Sequence, residues 1–256
     1  MRRSPAFSLM IDIVDSASVS QLTLAVETKS PTPTAPIEDT IAAFVVATNT
    51  GMFSKTPSAQ TTPIIVEASE SSAERCEYVW RSTGVQMGAY RVLIGMLDAA
   101  NQLGAELESV RLVSSADRGA RLTTRDLIDP PLTIKAARPP FDTRVRGNLK
   151  DFREPLIRLE FSRAITDDEL RTLSPLFSAW DSVAIRGGFL DTESTEDRDL
   201  DIDAALASPQ TYLAAPNTVE HLFDDFIGGE AAFRAVLNMA TKIHTAFCPL
   251  TSLEIE

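Results

Sequence analysis

The sequence predicts an α+β protein: a tandem duplication of two ferredoxin-like (βαββαβ) units that associate as a pseudo-dimer. Two observations predict it. Gly88 to Leu112 (GAYRVLIGMLDAANQLGAELESVRL) lies without a gap on Ala231 to Ile255 (AAFRAVLNMATKIHTAFCPLTSLEI). In that register Ala89, Arg91, Met96, Leu107 and Ser109 recur as Ala232, Arg234, Met239, Leu250 and Ser252. The second observation is the order of the periodic segments. Once an N-terminal strand is set aside, the first half reads strand, helix, strand, strand, helix, strand.

The repeated stretch is a helix followed by a strand. Tyr90, Leu93, Ile94, Leu97 and Ala100 recur at helical spacing, as do Phe233, Val236, Leu237, Ala240, Ile243 and Phe247. Each stripe is too narrow for a helix buried all round, so each helix is expected to lie on a sheet. Leu107, Val110 and Leu112, then Leu250, Leu253 and Ile255, supply the strands.

Before the first copy, Phe7 to Val14 alternates weakly and reads as the extra strand. Gln21 to Glu27 alternates clearly, with Leu22, Leu24 and Val26 on one face. Three prolines between Lys29 and Pro36 mark a loop, and Pro36 suits the first turn of a helix that Gly51 ends. Thr62 to Ala68 and Cys76 to Ser82 read as strands around the polar turn SESSAER.

Residues 115–153 differ in character. Prolines 130, 131, 139 and 140 interrupt them, and nine Lys or Arg face five Asp, a charge of about +4 against −16 for the remainder. They read as a Pro-rich basic connector between a first unit, 1–114, and a second, 154–256. Packing along the acidic bodies explains its charge most simply. A partner- or anion-binding arm would use Arg144 and Arg146 beside Phe141.

In the second unit Leu156 to Phe161 is a strand, and Thr166 with Glu169 forms a capping box for a helix carrying Leu170, Leu173, Leu176 and Phe177. Asp181 to Leu190 reads as the next strand. Asp191 to Asp203 then holds seven acidic residues in thirteen. Gln210 to Leu213 is a short strand signal, and Asn217 with Glu220 reads as a capping box opening an extra helix, Thr218 to Ile227.

Composition sets the class. Of 256 residues, 44% are hydrophobic and 23% charged, the balance of an ordinary globular protein. No apolar run approaches the roughly 20 residues of a membrane span. Asp12 and Asp15 interrupt any signal-peptide core, and Cys76 and Cys248 show no zinc or redox spacing, so a cytoplasmic protein is expected. The net charge of −12 argues against nucleic acid and anionic membranes as partners.

The chain has no dinucleotide, phosphate-loop, nucleophile-elbow or zinc-protease motif. Gly187-Gly188 lacks the rest of a phosphate loop and reads as a turn. Asp199, Asp201 and Asp203 begin like a calcium loop, but Ala204 stands where Gly is needed and Gln210 where Glu is needed. His221 and His244 are the only imidazoles, too few for most metal sites. No metal or other cofactor is expected.

Arg91 and Arg234 occupy equivalent first-turn positions, where a cation opposes the helix dipole, so each is expected in a specific ion pair. Tyr78 and Trp80 share one strand face, with Arg81 on the other. They are core residues in one reading and line a groove in the other. The function expected is that of a non-catalytic protein-interaction module or adaptor, docking a protein partner, basic in character, through an acidic surface. The contact residues would come from Tyr78, Trp80, Arg81, Arg91, Arg234, Arg144, Arg146, Asp199, Asp201 and Asp203. The alternatives are a cofactor-free enzyme or small-molecule binder with a pocket between the units, and a subunit of a larger assembly.

Overall fold

The computed structural model of the chain describes residues 5–15, 20–29, 35–56, 64–72, 74–82, 84–115, 119–136, 138–148, 154–190, 209–223 and 228–256. The first part of the chain runs β1 (Ser8–Asp15), β2 (Ser20–Thr28), α1 (Ala35–Asn49), β3 (Ile65–Ser71), β4 (Arg75–Ser82), α2 (Met87–Ala100) and β5 (Leu107–Ser114). Then come β6 (Ala120–Thr123), α3 (Thr124–Ile128) and β7 (Asp142–Val145). The second part runs β8 (Leu156–Phe161), α4 (Asp167–Ile185), β9 (Gln210–Ala215), β10 (Thr218–Leu222), α5 (Glu230–Ala246) and β11 (Leu250–Ile255). No described helix is long and apolar enough to cross a membrane.

The fold is a mixed α+β structure with two sheets among the described residues. One has the order β3-β4-β2-β5-β1-β6 and the other β9-β10-β8-β11-β7. Apart from β6 the orders match strand for strand. β1 runs parallel to β5 and β7 parallel to β11, while the other pairs are antiparallel. The connector is therefore woven into both bodies: its β6 edges the first sheet and its β7 edges the second.

Alternation on the strands gives each sheet one buried face. Leu22, Leu24 and Val26 of β2 and Val110 and Leu112 of β5 are buried toward α1 and α2, as are Ile157, Leu159 and Phe161 of β8 toward α4 and α5. Phe44 on α1 meets the ring of Trp80 on β4, and Phe177 on α4 meets His221 on β10. α1 also packs against α4. The layers therefore run sheet, helices, helices, sheet. The sheets therefore lie neither back to back nor edge to edge, a choice that the sequence leaves open.

That stacking explains a correction. α2 and α5 are buried nearly all round: Ala89, Val92, Met96 and Ala99 are covered as well as the apolar stripe of α2, and Ala232, Ala235, Asn238 and Met239 as well as that of α5. One face lies on the sheet and the other on the opposite unit. Small residues form much of the second face, so an apolar stripe underestimates it.

Two segments change class. Asp181 to Leu190 is not a strand: α4 continues to Ile185, and Gly187, at φ 69°, ends it with its N–H donating to the Ala184 carbonyl. The β-branched Val183 and Ile185 favour a strand, but Trp180, Val183 and Ala184 prolong the buried helical stripe, and packing outweighs propensity. Thr218 to Leu222 is a strand, not the start of a helix. Val219, His221 and Phe223 alternate into the core, and Asn217 sits in the β9–β10 turn with its side-chain amide donating to the Phe161 carbonyl at 3.2 Å. The polar turn after β3 is shorter than SESSAER, since β3 reaches Ser71 and β4 starts at Arg75.

The Thr166–Glu169 capping box is present. The Glu169 carboxylate accepts the Thr166 N–H at 2.9 Å and Arg163 at 2.5 Å, which hold it at about 2, well below the ordinary 4.5.

Candidate functional site

The side chains that cooperate most extensively lie around β8, β10 and β11, on both faces of the second sheet. The outward face carries a charged row that register dictates. Tyr212 stands beside Glu220, Glu220 beside Arg158, Arg158 beside Glu254, and Glu254 beside Arg144. The Arg158 Nε donates to Glu220 at 2.7 Å and its Nη1 to Glu254 at 3.0 Å, with Glu256 at 3.4 Å from Nη2. The Tyr212 hydroxyl donates to the second Glu220 oxygen at 2.8 Å. Arg146 reaches Glu254 at 2.6 Å and Glu256 at 3.1 Å.

Burial by itself would raise the Glu220 carboxyl. The bonds from Arg158 and Tyr212 outweigh it and leave the group below its ordinary value. The same bonds push the Arg158 guanidinium and the Tyr212 phenol up. Chemically the row holds fixed charges in place. It contains no imidazole or thiol to carry a proton at neutral pH.

The inward face, one residue along β10, holds the chain's one buried polar relay among the described residues. His221 is 1% exposed. Its Nε2 lies 2.8 Å from the Asp181 carboxylate on α4, and its Nδ1 lies 2.9 Å from the Thr211 hydroxyl on β9. The Phe177 ring stacks on the imidazole with centroids 4.6 Å apart, and Trp180 meets it edge-on at 6.0 Å. Burial pushes the Asp181 carboxyl up, with the His221 hydrogen bond and charge opposing.

A hydroxyl, an imidazole and a carboxylate in line are the parts of a nucleophilic relay. Here both ring nitrogens are engaged, the imidazole is buried and one ring face is covered by Phe177, while the Thr211 hydroxyl is half-buried on the edge strand. The arrangement satisfies buried polar atoms. The sequence signal for it was period two: a histidine between Val219 and Phe223 on a buried face needs partners.

The residues predicted from sequence do not converge. Trp80 is fully buried under Phe44, with its indole N–H unpaired, and Tyr78 on the same face is half-buried, its phenol pushed up to about 12 chiefly by burial. Both lie on the sheet face that the helices cover, where Phe44 of α1 meets Trp80, so that face is not an open groove. Arg81 is on the outward face, 2.8 Å from Glu67. Arg91 Nη1 donates to the carbonyls of Leu127 (3.2 Å), Ile128 (2.8 Å) and Pro130, at the C-terminal end of α3, where a cation complements free carbonyls. Arg234 does pair, with Glu230 one turn earlier at 2.5 Å.

Arg144 and Arg146 flank the end of β7, and only Arg146 joins the charged network. Asp199, Asp201 and Asp203 lie outside the described residues. His244 accepts the Leu250 N–H at Nδ1 (3.0 Å). Gly187 and Gly188 form the turn after α4, packed on α2. Cys76 and Cys248 are buried and unbridged. Among the described residues, no three His, Cys, Asp or Glu side chains are grouped to hold a metal ion.

The space between the units is occupied by side chains. Phe53 meets Phe189, and the buried Asn238 amide of α5 donates to the carbonyls of Met52 (3.0 Å) and Lys135 (3.1 Å). Gln86 fixes the connector from the other side, accepting the Lys135 N–H and donating to its carbonyl, both at 2.7 Å.

No family model matches the chain, and no curated protein matches it. Among solved structures it aligns with the ferredoxin protease FusC in complex with Arabidopsis ferredoxin, at 11% identity and a TM-score of 0.20, over 91% of this chain and 34% of that one. It also aligns with the periplasmic protease PqqL from Escherichia coli, at 7% identity and a TM-score of 0.21, over 87% and 35%. The chain spans about a third of the length of either. At those scores the likeness carries no argument about fold, activity or substrate.

Proposed function

We propose that the chain is a non-catalytic interaction module that docks a protein partner through its acidic outer surface. The observation that supports this is the layer order. Both helix layers are turned inward and fill the middle of the molecule, so what the chain offers to other molecules is the outer faces and edges of two sheets. The outward row on the second sheet is a set of fixed charges rather than a reaction centre. The net charge of −12 favours a partner with basic groups.

The architecture in this reading is a duplicated ferredoxin-like unit paired as a pseudo-dimer. The matching strand orders support it. So does one bond repeated in the register of the sequence alignment: Asn101 Oδ1 accepts the Leu107 N–H at 2.7 Å as His244 accepts that of Leu250.

The test is capture of partners from a lysate of the source organism on the immobilised chain, eluted with a salt gradient. Binding of the recovered protein is then measured in purified form. A basic partner whose affinity falls steeply with salt, and falls again when Asp199, Asp201 and Asp203 are replaced by Lys, supports the proposal. A well-folded monomer that retains no protein but is stabilised by a metabolite in a thermal-shift screen overturns it.

A further inference from the structure

We propose that the open edge of β7 is where a second copy of this chain pairs: two β7 strands run antiparallel about Thr143 and join the two second sheets into one. β7 ends its sheet and pairs only with β11 among the described strands, and Asp142, Thr143, Arg144 and Val145 are all exposed. The Arg146 N–H donates to the Ile255 carbonyl at 2.9 Å. Backbone groups alternate along a strand, so Asp142 and Arg144 also turn theirs to β11. Thr143 and Val145 turn theirs to the open side.

The first sheet shows what that position accepts. Leu9 and Ile11 of β1 lie opposite Val110 and Leu112 of β5, as Thr143 and Val145 lie opposite Leu253 and Ile255. There the outer edge is filled. The Thr124 hydroxyl donates to the Leu9 carbonyl at 3.3 Å and accepts the Ile11 N–H at 3.1 Å. Just beyond, β6 runs antiparallel to β1, and Arg121 pairs with Asp12 at 2.7 Å on the outward face. Among the described residues the edge of β7 has no strand in that place.

The side chains of β7 point to the occupant. Asp142 and Arg144 share its outward face, and no ion pair among the described residues uses either. Glu254, which stands beside Arg144, is held by Arg158 and Arg146. A two-fold axis can bring the free backbone groups together at Thr143, at Arg144 or at Val145. At Val145 it sets Arg144 against Arg146 of the other copy, and at Arg144 it sets that residue against its own mate. At Thr143 it sets Asp142 of each copy against Arg144 of the other, with Val145 beside Phe141. A charge pattern that complements itself through a two-fold axis fits a second copy of this chain.

Sedimentation velocity of the full chain tests this. The wild-type chain should pass from monomer to dimer as its concentration rises through the micromolar range. Arg144→Glu and Asp142→Lys each set like charges against each other on both sides of the axis. Each should raise the dimer dissociation constant by about tenfold or more. The two variants mixed should associate with each other. Asp142 of one chain then meets Arg144 of the other, and the two introduced side chains are also opposite in sign. Both positions are exposed, so the variants should keep the fold. A wild-type chain that stays monomeric throughout overturns the proposal, whatever other strand the edge can take. So does a dimer that both reversals leave unchanged, and so does a mixture as monomeric as its components.

Discussion

The rings of Phe53 and Phe189 meet with centroids 6.3 Å apart, each two residues after a left-handed glycine that ends a helix. Gly51 (φ 93°) follows α1 and Gly187 (φ 69°) follows α4. Around this contact the packing is reciprocal. The turn after α1 receives Asn238 of α5, and the turn after α4 rests on α2, where a Cβ at Gly95 would lie 3.2 Å from the Gly187 carbonyl oxygen. Gly95 and Asn238 are themselves equivalent in the repeated stretch. In the duplicated reading proposed above, such reciprocity is that of an isologous interface made within one chain.

The Gly188→Ala variant tests how tightly that joint is packed. The added Cβ would sit 2.7 Å from Val183 Cγ1, 2.8 Å from Val92 Cγ1 and 2.9 Å from Met96 Cγ. Overpacking of this kind costs about 1–3 kcal/mol, read as a lower urea midpoint with an unchanged slope. A midpoint equal to that of the parent would mean the two helix layers yield more than the contacts imply.

Arg158→Met should destabilise the second sheet by about 1–2 kcal/mol, a range that allows for the arginine's one-third exposure. It leaves Glu220 and Glu254, 11% and 12% exposed, facing each other across β8 without their shared cation. Replacing Glu220 by Gln in the same chain should recover part of the loss, and a double-mutant cycle measures the coupling. Strict additivity would show that the row is decoration.

Glu169→Gln should matter only where the carboxylate is ionised. Its folded value, about 2, lies below the ordinary 4.5 because Arg163 and the Thr166 N–H hold the charged form. A depressed value adds stability that is complete above 4.5 and is lost as pH falls toward 2. The gap in urea midpoint between the parent and the Gln variant should therefore be constant at neutral pH and close over that interval. A gap that persists unchanged at the acid end would assign it to packing.

Much of the architecture was legible because it rests on local periodicity. β2, α1, α2 with β5, β8, and α5 with β11 stand where alternation and helical spacing put them. The Asn101 and His244 bonds stand at equivalent positions of the alignment although the residues differ. What sequence could not show was non-local. The second packed face of α2 mixes Val92 and Met96 with Ala89, Gly95 and Ala99, a weaker signal than the first stripe, so the helix-to-helix stacking stayed hidden. Asp181 was read into a strand and His221 into a helix, so nothing brought them together. Trp80 was correctly weighed as a core residue, but its groove reading required an open inner face that α1 occupies.

The chain has two tryptophans, and each is fully buried in a different half. Trp180 donates its indole N–H to the Ala232 carbonyl at 3.0 Å, whereas the N–H of Trp80 has no acceptor. Each half therefore carries its own indole reporter, one hydrogen-bonded and one not. A denaturation curve followed by each, through single Trp→Phe chains, would tell directly whether the halves melt as one cooperative unit or in succession.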